Sequence, residues 1–307
     1  MSKIDIFHKG DERLLMSFAR FEVFSKIAEL GSFTKASQQL NMTQSAVSHA
    51  MTSLESEWGV LLINRDRRKG ITLTEIGQKS LLHIREILNR MEHINQEIAL
   101  VRNLEIGTIR IGTFASASSC LLPKILSEFQ KKHSQIEFKF YEGSYEEITE
   151  WLNIGIIDIG FVVEMDSTST FEIIPLIKDK MVVAFPRNHM LNYQEIINIQ
   201  DLQKEPFIMP TGMYQRHIEA LFKQENIHPT IRFEVHDCNT IANMVQEGLG
   251  ITIGPELFLK TQPNVQLGTL NLTHWRHVAL ACPSVKEASP AVREFLAVAK
   301  KVFKSKN

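Results

Sequence analysis

From Thr74 to Arg102 the chain runs without a proline, with one glycine near the start (Gly77), and with apolar residues at Leu81, Ile84, Leu88, Met91 and Ile98 in heptad a and d spacing. Such a stretch forms one long helix, and it divides the chain into a short region before it and a long region after it. Asn95 falls on the same seam, where a buried amide can fix the register of a self-paired helix. Ile87, Ile94 and Val101 form a second stripe. The seam suits pairing with a second copy, and the alternative is a helix packed on its own protein's core. Asn95 and the five apolar seam residues are the expected dimerisation set.

Before the long helix, apolar residues recur at helical spacing from Phe18 to Leu54: Phe21, Phe24, Ile27 and Ala28, then Ala36 and Leu40, then Val47, Ala50, Met51 and Leu54. Three short helices fit. The breaks at Gly31–Thr34 and Asn41–Thr43 carry helix-start chemistry, because Thr34 and Thr43 can each accept a hydrogen bond from an orphan backbone N–H. Trp58–Ile63 and Ile71–Leu73 read as two extended segments around a basic tip of Arg65, Arg67, Arg68 and Lys69. In the third helix Gln44, Ser48 and Thr52 are spaced by four, as are Ser45 and His49, opposite Val47, Ala50 and Leu54. Taken alone, that polar face is no more than a solvated one. Beside a preceding short helix, a tight turn and a basic hairpin it forms a winged helix-turn-helix that can enter the DNA major groove, while the wing cations meet phosphate. The expected DNA-facing residues are Ser32, Thr34, Lys35, Thr43, Gln44, Ser45, Ser48, His49, Thr52, Arg65, Arg67, Arg68 and Lys69.

The charge of −1 argues that any nucleic-acid surface is local. At 307 residues and 44% hydrophobic content the chain is long enough for more than one buried core. No run reaches the ~18 residues of a membrane helix. Met1–Arg13 carries Lys3, Asp5, Lys9, Asp11 and Glu12 where a secretory signal needs apolar residues. A cytoplasmic product without a membrane partner is expected. Cys120, Cys238 and Cys282 are widely spaced and form neither a C-x-x-C pair nor a metal-ligand cluster, so reduced thiols and no metal or cofactor are expected. No acid-base or nucleophile constellation with usable spacing is present, which argues against an enzyme.

After Leu104 strands and helices alternate. Thr108–Thr113, Ile136–Phe140, Asp158–Val163, Lys180–Phe185 and Ile251–Gly254 read as strands; Leu122–Lys132, Glu146–Leu152, Gln215–Glu225, Thr240–Glu247 and Pro290–Phe303 read as helices. That is a parallel-rich α/β domain. Phe114-Ala-Ser-Ala-Ser-Ser119 follows a strand and opens a helix, so its N–H groups and small hydroxyls can meet an anion. Alternatively Ser118 and Ser119 serve only as caps, and Thr211-Gly212 is an ordinary turn. Gly248-Leu249-Gly250 reads as a helix end before a strand, not as a phosphate loop. His236 beside Asp237 suggests a general-base pair, yet adjacent residues in a strand point to opposite faces, so the pairing is taken as incidental.

The ordered series Leu30-Gly-Ser-Phe-Thr-Lys-Ala36, Leu40, Gln44-Ser-Ala-Val-Ser48, Leu54-Glu55, Gly59, Leu62, Arg65 and Leu73-Thr74 with Gly77 resembles the N-terminal signature of LysR-type transcriptional regulators. Glu142-Gly143, Leu152 with Gly155 and Asp158, and Val245 with Gly248-Leu-Gly-Ile251 and Pro255 are similar to the effector-binding region of that family. The resemblance runs from Met16 to the C-terminus. It implies an α+β multidomain fold: an extension at 1–15, a winged helix-turn-helix at 16–74, a linker helix at 75–103, and an effector-binding domain at 104–307. That last domain would comprise two periplasmic-binding-protein-like subdomains, I at 104–185 with 283–307 and II at 186–282. Residues 1–15 lie outside the resemblance and are expected to be a floppy extension or an upstream start. By resemblance Ser116 faces Thr211 across a cleft, with Val162 and Val163 on its floor and Asp237, Cys238 and Asn239 opposite. The expected effector-binding set is Phe114, Ser116, Ala117, Ser118, Val162, Val163, Thr211, Gly212, Cys238 and Asn239. The implied partners are double-stranded DNA with an interrupted palindrome, an organic-anion effector, further copies as a dimer or tetramer, and RNA polymerase if the protein activates. A solute-binding module with an N-terminal adaptor is the alternative.

Overall fold

A computed structural model describes residues 5–66, 70–101, 106–163, 170–212 and 214–304. Arg67, Arg68 and Lys69 lie outside the described residues. The chain divides into two compact units, Met1–Asn95 and Gln96–Asn307.

In the first unit α1 (Asp5–Leu30), α2 (Phe33–Gln39) and α3 (Gln44–Trp58) surround a core of Val23, Phe24, Ile27, Ala36, Val47, Met51 and Leu54. The helical spacing of those residues brings them to one side of each helix. The backbone of Asp5–Leu15 continues α1. Once a helix is nucleated, adding residues to its end costs little, and the sequence offers no proline to stop it. The wing is β1 (Ile63–Asp66) paired antiparallel with β2 (Gly70–Leu73). Its first strand begins at Ile63 rather than Trp58, because α3 continues through Trp58 and ends on left-handed Gly59.

The helix α4 (Glu75–Val101) starts at Thr74, whose Oγ1 accepts the Gly77 N–H at 3.0 Å and donates to Leu61 O at 2.8 Å. A Cβ on Gly77 would overlap the carbonyl oxygen of Leu62, so glycine lets the helix lie against the wing's entry. The seam read from the sequence is divided here. Leu81 and Ile84 are buried in the first core and Leu88 packs against it, whereas Met91, Asn95 and Ile98 are exposed. The first turns close the helix-turn-helix core. A straight helix of 3.6 residues per turn then rotates away from a strict heptad line. The stripe left open is Ile87, Met91, Ile94, Ile98 and Val101, spaced alternately by four and three.

In the second unit β3 (Thr108–Thr113) lies between parallel β4 (Glu137–Glu142) and β5 (Ile159–Val163). The antiparallel strands β12 (Trp275–Cys282) and β6 (Glu172–Pro186) extend the sheet in the order β4-β3-β5-β12-β6-β11-β7, with β10 (Thr252–Pro255) also on β6. Here β11 is Val265–Leu270 and β7 is Ile196–Ile197, while β8 (Pro206–Pro210) and β9 (Thr230–Val235) form a separate parallel pair. Two cores result. One is built on β3, β5, β12, α6 (Leu122–Gln130), α7 (Tyr145–Asn153) and α11 (Pro290–Lys304); the other on the end of β6, β8, α8 (Gln215–Gln224), α9 (Cys238–Gln246) and β10. The cores change hands inside β6, between Leu176 and Met181, and before Val278 of β12. The two cores thus meet within β6, and the expected limits at 185/186 and 282/283 fall at the C-terminal ends of β6 and β12. Among the described residues no helix is long and apolar enough to cross a membrane.

Candidate functional site

The first candidate site is the outer face of the helix-turn-helix. Thr43 caps α3, its Oγ1 accepting the Ala46 N–H at 3.2 Å, and it lies 3.0 Å from Ser45 Oγ. The cap of α2 is Ser32, which accepts the Lys35 N–H at 3.3 Å; Thr34, expected there, stands inside the helix and is exposed. Gln44, Ser45, His49 and Thr52 are exposed and Ser48 is half-buried, while Val47, Met51 and Leu54 are fully buried on the other side. Lys35 is exposed beside them. Arg65 on β1 rests its guanidinium carbon 4.7 Å from the Phe33 ring centroid, which holds a wing cation close to the start of α2. Glu55, in the sequence no more than a member of a motif, fixes the wing. Buried on α3, its Oε1 accepts the N–H groups of Leu62 at 2.8 Å and Ile63 at 3.2 Å.

The second candidate site lies in the other unit, where the first helix after β3, α5 (Ala115–Cys120), meets β12. Its cap is Phe114, without a side-chain bond; Ser119 Oγ instead donates to Ala115 O at 2.8 Å, so neither Ser118 nor Ser119 caps. Ser116 is buried and accepts a hydrogen bond from Arg276 Nη2 at 2.8 Å. Arg276 is 1% exposed. It pairs with Asp179 Oδ2 through Nε at 2.8 Å and Nη2 at 2.6 Å, and donates to Tyr145 Oη through Nη1 at 2.8 Å. Asp179 Oδ1 accepts the Leu257 N–H at the start of α10 (Glu256–Leu259) at 2.9 Å. One guanidinium thus ties together α5, α7, β6 and, through its counter-ion, α10.

Tyr214, one residue before α8, places its hydroxyl 3.9 Å from Cys238 Sγ at the start of α9. Burial pushes both groups up, Tyr214 well above its ordinary value and the Cys238 thiol to about 11. Burial likewise lifts Cys282 to about 11. Thiols held that high carry almost no thiolate at neutral pH, which counts against a reactive redox centre.

Phe114 and Ser116 meet Arg276, and Cys238 stands close enough to feel its charge. Ala117 and Val162 are instead buried in the first core, Val163 packs against it, and Ser118 is half-buried. Gly212 adopts a left-handed φ of +68°, and His236 Nδ1 lies 3.0 Å from Thr211 O. Asn239 is exposed. Asp237 caps α9 through Thr240 N and Oγ1, both at 2.7 Å, so it and His236 serve different partners. Sequence reasoning missed Arg276, Asp179, Tyr145 and Tyr214. The one signal for them was alternation in β12: Trp275 and His277 are exposed while Arg276 shares the inward face with Val278.

Comparison with known proteins agrees with this architecture. Residues 18–78 match the bacterial regulatory helix-turn-helix protein, lysR family, and residues 102–304 match the LysR substrate binding domain. The HTH-type transcriptional regulator YvbU of Bacillus subtilis (strain 168) is 43% identical over 293 residues, covering 94% of this chain and 99% of its own length. Full-length CbnR complexed with its target DNA superposes with a TM-score of 0.66 at 21% identity, over 93% of this chain and 99% of that one. The effector binding domain of QuiR in complex with shikimate superposes with a TM-score of 0.59 at 26% identity, over 65% of this chain and 98% of that one. With its outward recognition helix, its wing and its two-core C-terminal unit, the chain belongs to the LysR family, as a DNA-binding transcriptional regulator with an effector-binding domain and not an enzyme.

Proposed function

We propose that this regulator binds an interrupted palindrome as a self-paired molecule and answers to a small organic anion held near Ser116. The observation that carries the DNA half is the solvation of α3: its polar residues face water while its apolar ones fill the core. A helix held that way can present Gln44, Ser45, Ser48, His49 and Thr52 to base edges, with Ser32, Thr34, Lys35 and Thr43 near the backbone. Arg65, with Arg67, Arg68 and Lys69 that follow it in the sequence, would supply phosphate contact.

The pairing surface in this reading is the open stripe Ile87, Met91, Ile94, Ile98 and Val101 of α4, which replaces the Leu81 and Ile84 end of the heptad seam. Two copies joined there would set two recognition helices in successive major grooves, and contacts between effector-binding domains would extend the dimer to a tetramer. The anion reading draws on Arg276 and on the shikimate complex of QuiR, since shikimate is a carboxylate. Effector binding would favour one of two relative settings of the two cores. The site of action is the cytoplasm, with RNA polymerase as a partner if the outcome is activation.

The test is a mobility shift on the DNA upstream of the protein's own gene across a salt series. Wild type should bind with a steep salt slope. Arg65→Ala should weaken binding and flatten the slope by about 0.9 for each phosphate the wing no longer neutralises. Ile94→Glu should shift sedimentation toward the monomer and weaken DNA binding with it. A folded dimer that ignores this DNA at low salt would defeat the proposal.

A further inference from the structure

The guanidinium of Arg276 can only donate, and this dictates what its neighbours offer. One Nη2 hydrogen goes to Ser116 Oγ and one Nη1 hydrogen to Tyr145 Oη, each at 2.8 Å; Nε and the other Nη2 hydrogen end on Asp179. Both hydroxyls therefore act as acceptors toward the cation, and their own protons must point away from it. Among the described residues neither hydroxyl proton meets an acceptor, and neither does the second hydrogen of Nη1. Phe114 backs the cluster, its ring centroid 5.5 Å from the Arg276 guanidinium carbon and 4.8 Å from the Tyr145 ring in an edge-on contact. Burial raises the Tyr145 phenol above its ordinary value, so it keeps its proton at neutral pH.

Charge alone is a weak guide at this point. Asp179 already balances the guanidinium, and its second oxygen is committed to Leu257. What remains uncompensated is hydrogen-bond polarity, because the free protons of Ser116, Tyr145 and Arg276 Nη1 are all donors. We propose that Arg276 is a positioning residue that turns the Ser116 and Tyr145 hydroxyls into donors, so that the site accepts the carboxylate of its effector and rejects the corresponding primary amide. A carboxylate brings only acceptors and gains charge-assisted bonds. An amide sets an NH2 against donors and leaves buried groups without partners, a mismatch that costs more than the average hydrogen bond gains. The inference rests on the effector reading above and adds to it the group recognised and the atoms that recognise it.

Acetate and acetamide, matched in size, serve as probes on the full chain, with binding followed by NMR titration of the carbon-13-labelled probe. Acetate should bind at least about tenfold more tightly than acetamide. Tyr145→Phe keeps the ring on Phe114 but removes one directed donor together with the acceptor of Arg276 Nη1; it should lower the melting temperature, stay folded at the titration temperature, and bring the ratio toward one. Equal binding of the two probes, binding of neither, or a ratio untouched in Tyr145→Phe overturns the proposal. Mobility shifts run on the same preparations separate the two readings. Intact DNA binding without an acetate preference defeats this inference alone, and loss of DNA binding defeats the regulator reading whatever the probe ratio.

Discussion

The recognition helix and the Arg276 cluster use similar chemistry under opposite solvation. On α3 the polar groups are Gln, Ser, His and Thr side chains in water, each free to change partner. Around Arg276 the polar groups are buried, or half-buried at Tyr145, and interlocked by hydrogen bonds. The first arrangement contributes little to stability and is open for reading DNA. The second binds distant elements together, so its function and its folding are coupled.

That contrast sets an order of effects. Asp179→Ala strands a buried guanidinium and should lower unfolding free energy by about 3–5 kcal/mol in urea denaturation, whereas Gln44→Ala should leave it nearly unchanged. Equal losses at both sites would break the comparison. Thr43→Ala removes the Oγ1 acceptor at the start of α3 and should cost about 1 kcal/mol, a loss visible in the same assay and accompanied by weaker DNA binding. The smallest effect concerns Asp237. Hydrogen bonds from Thr240 hold its carboxyl below the ordinary value in the folded state. A depressed folded value means its contribution is complete above about pH 4 and fades as the pH falls through the folded value. Thermal melts of Asp237→Asn from about pH 6 to about pH 2 should show a shallower acid decline than wild type.

The same contrast explains what could be read from the sequence. The outward face of α3 was legible because helical periodicity is local: Val47, Met51 and Leu54 declare the buried side within one element. The helices at Leu122, Gln215 and Pro290 were legible for the same reason. The Arg276 cluster was not, since it joins residues 97 positions apart in the Asp179 pair and 160 apart in the Ser116 pair, a conjunction only the sheet order creates. β12 itself was hidden because Trp275-Arg-His277 resembles a polar loop until its antiparallel partner is known. On α4 the period marked one apolar seam, and Leu81 and Ile84 of that seam are buried in the first core. Periodicity reports that a face is apolar, and leaves open whether that face meets the same chain or another.

β6 carries a final consequence. It is one strand of 15 residues whose beginning lies in one hydrophobic core and whose end lies in the other. Neither core can melt while keeping that strand straight for its neighbour, so heating the C-terminal unit should give a single calorimetric endotherm. Any opening or closing of the two halves must then be a bend in a shared rod.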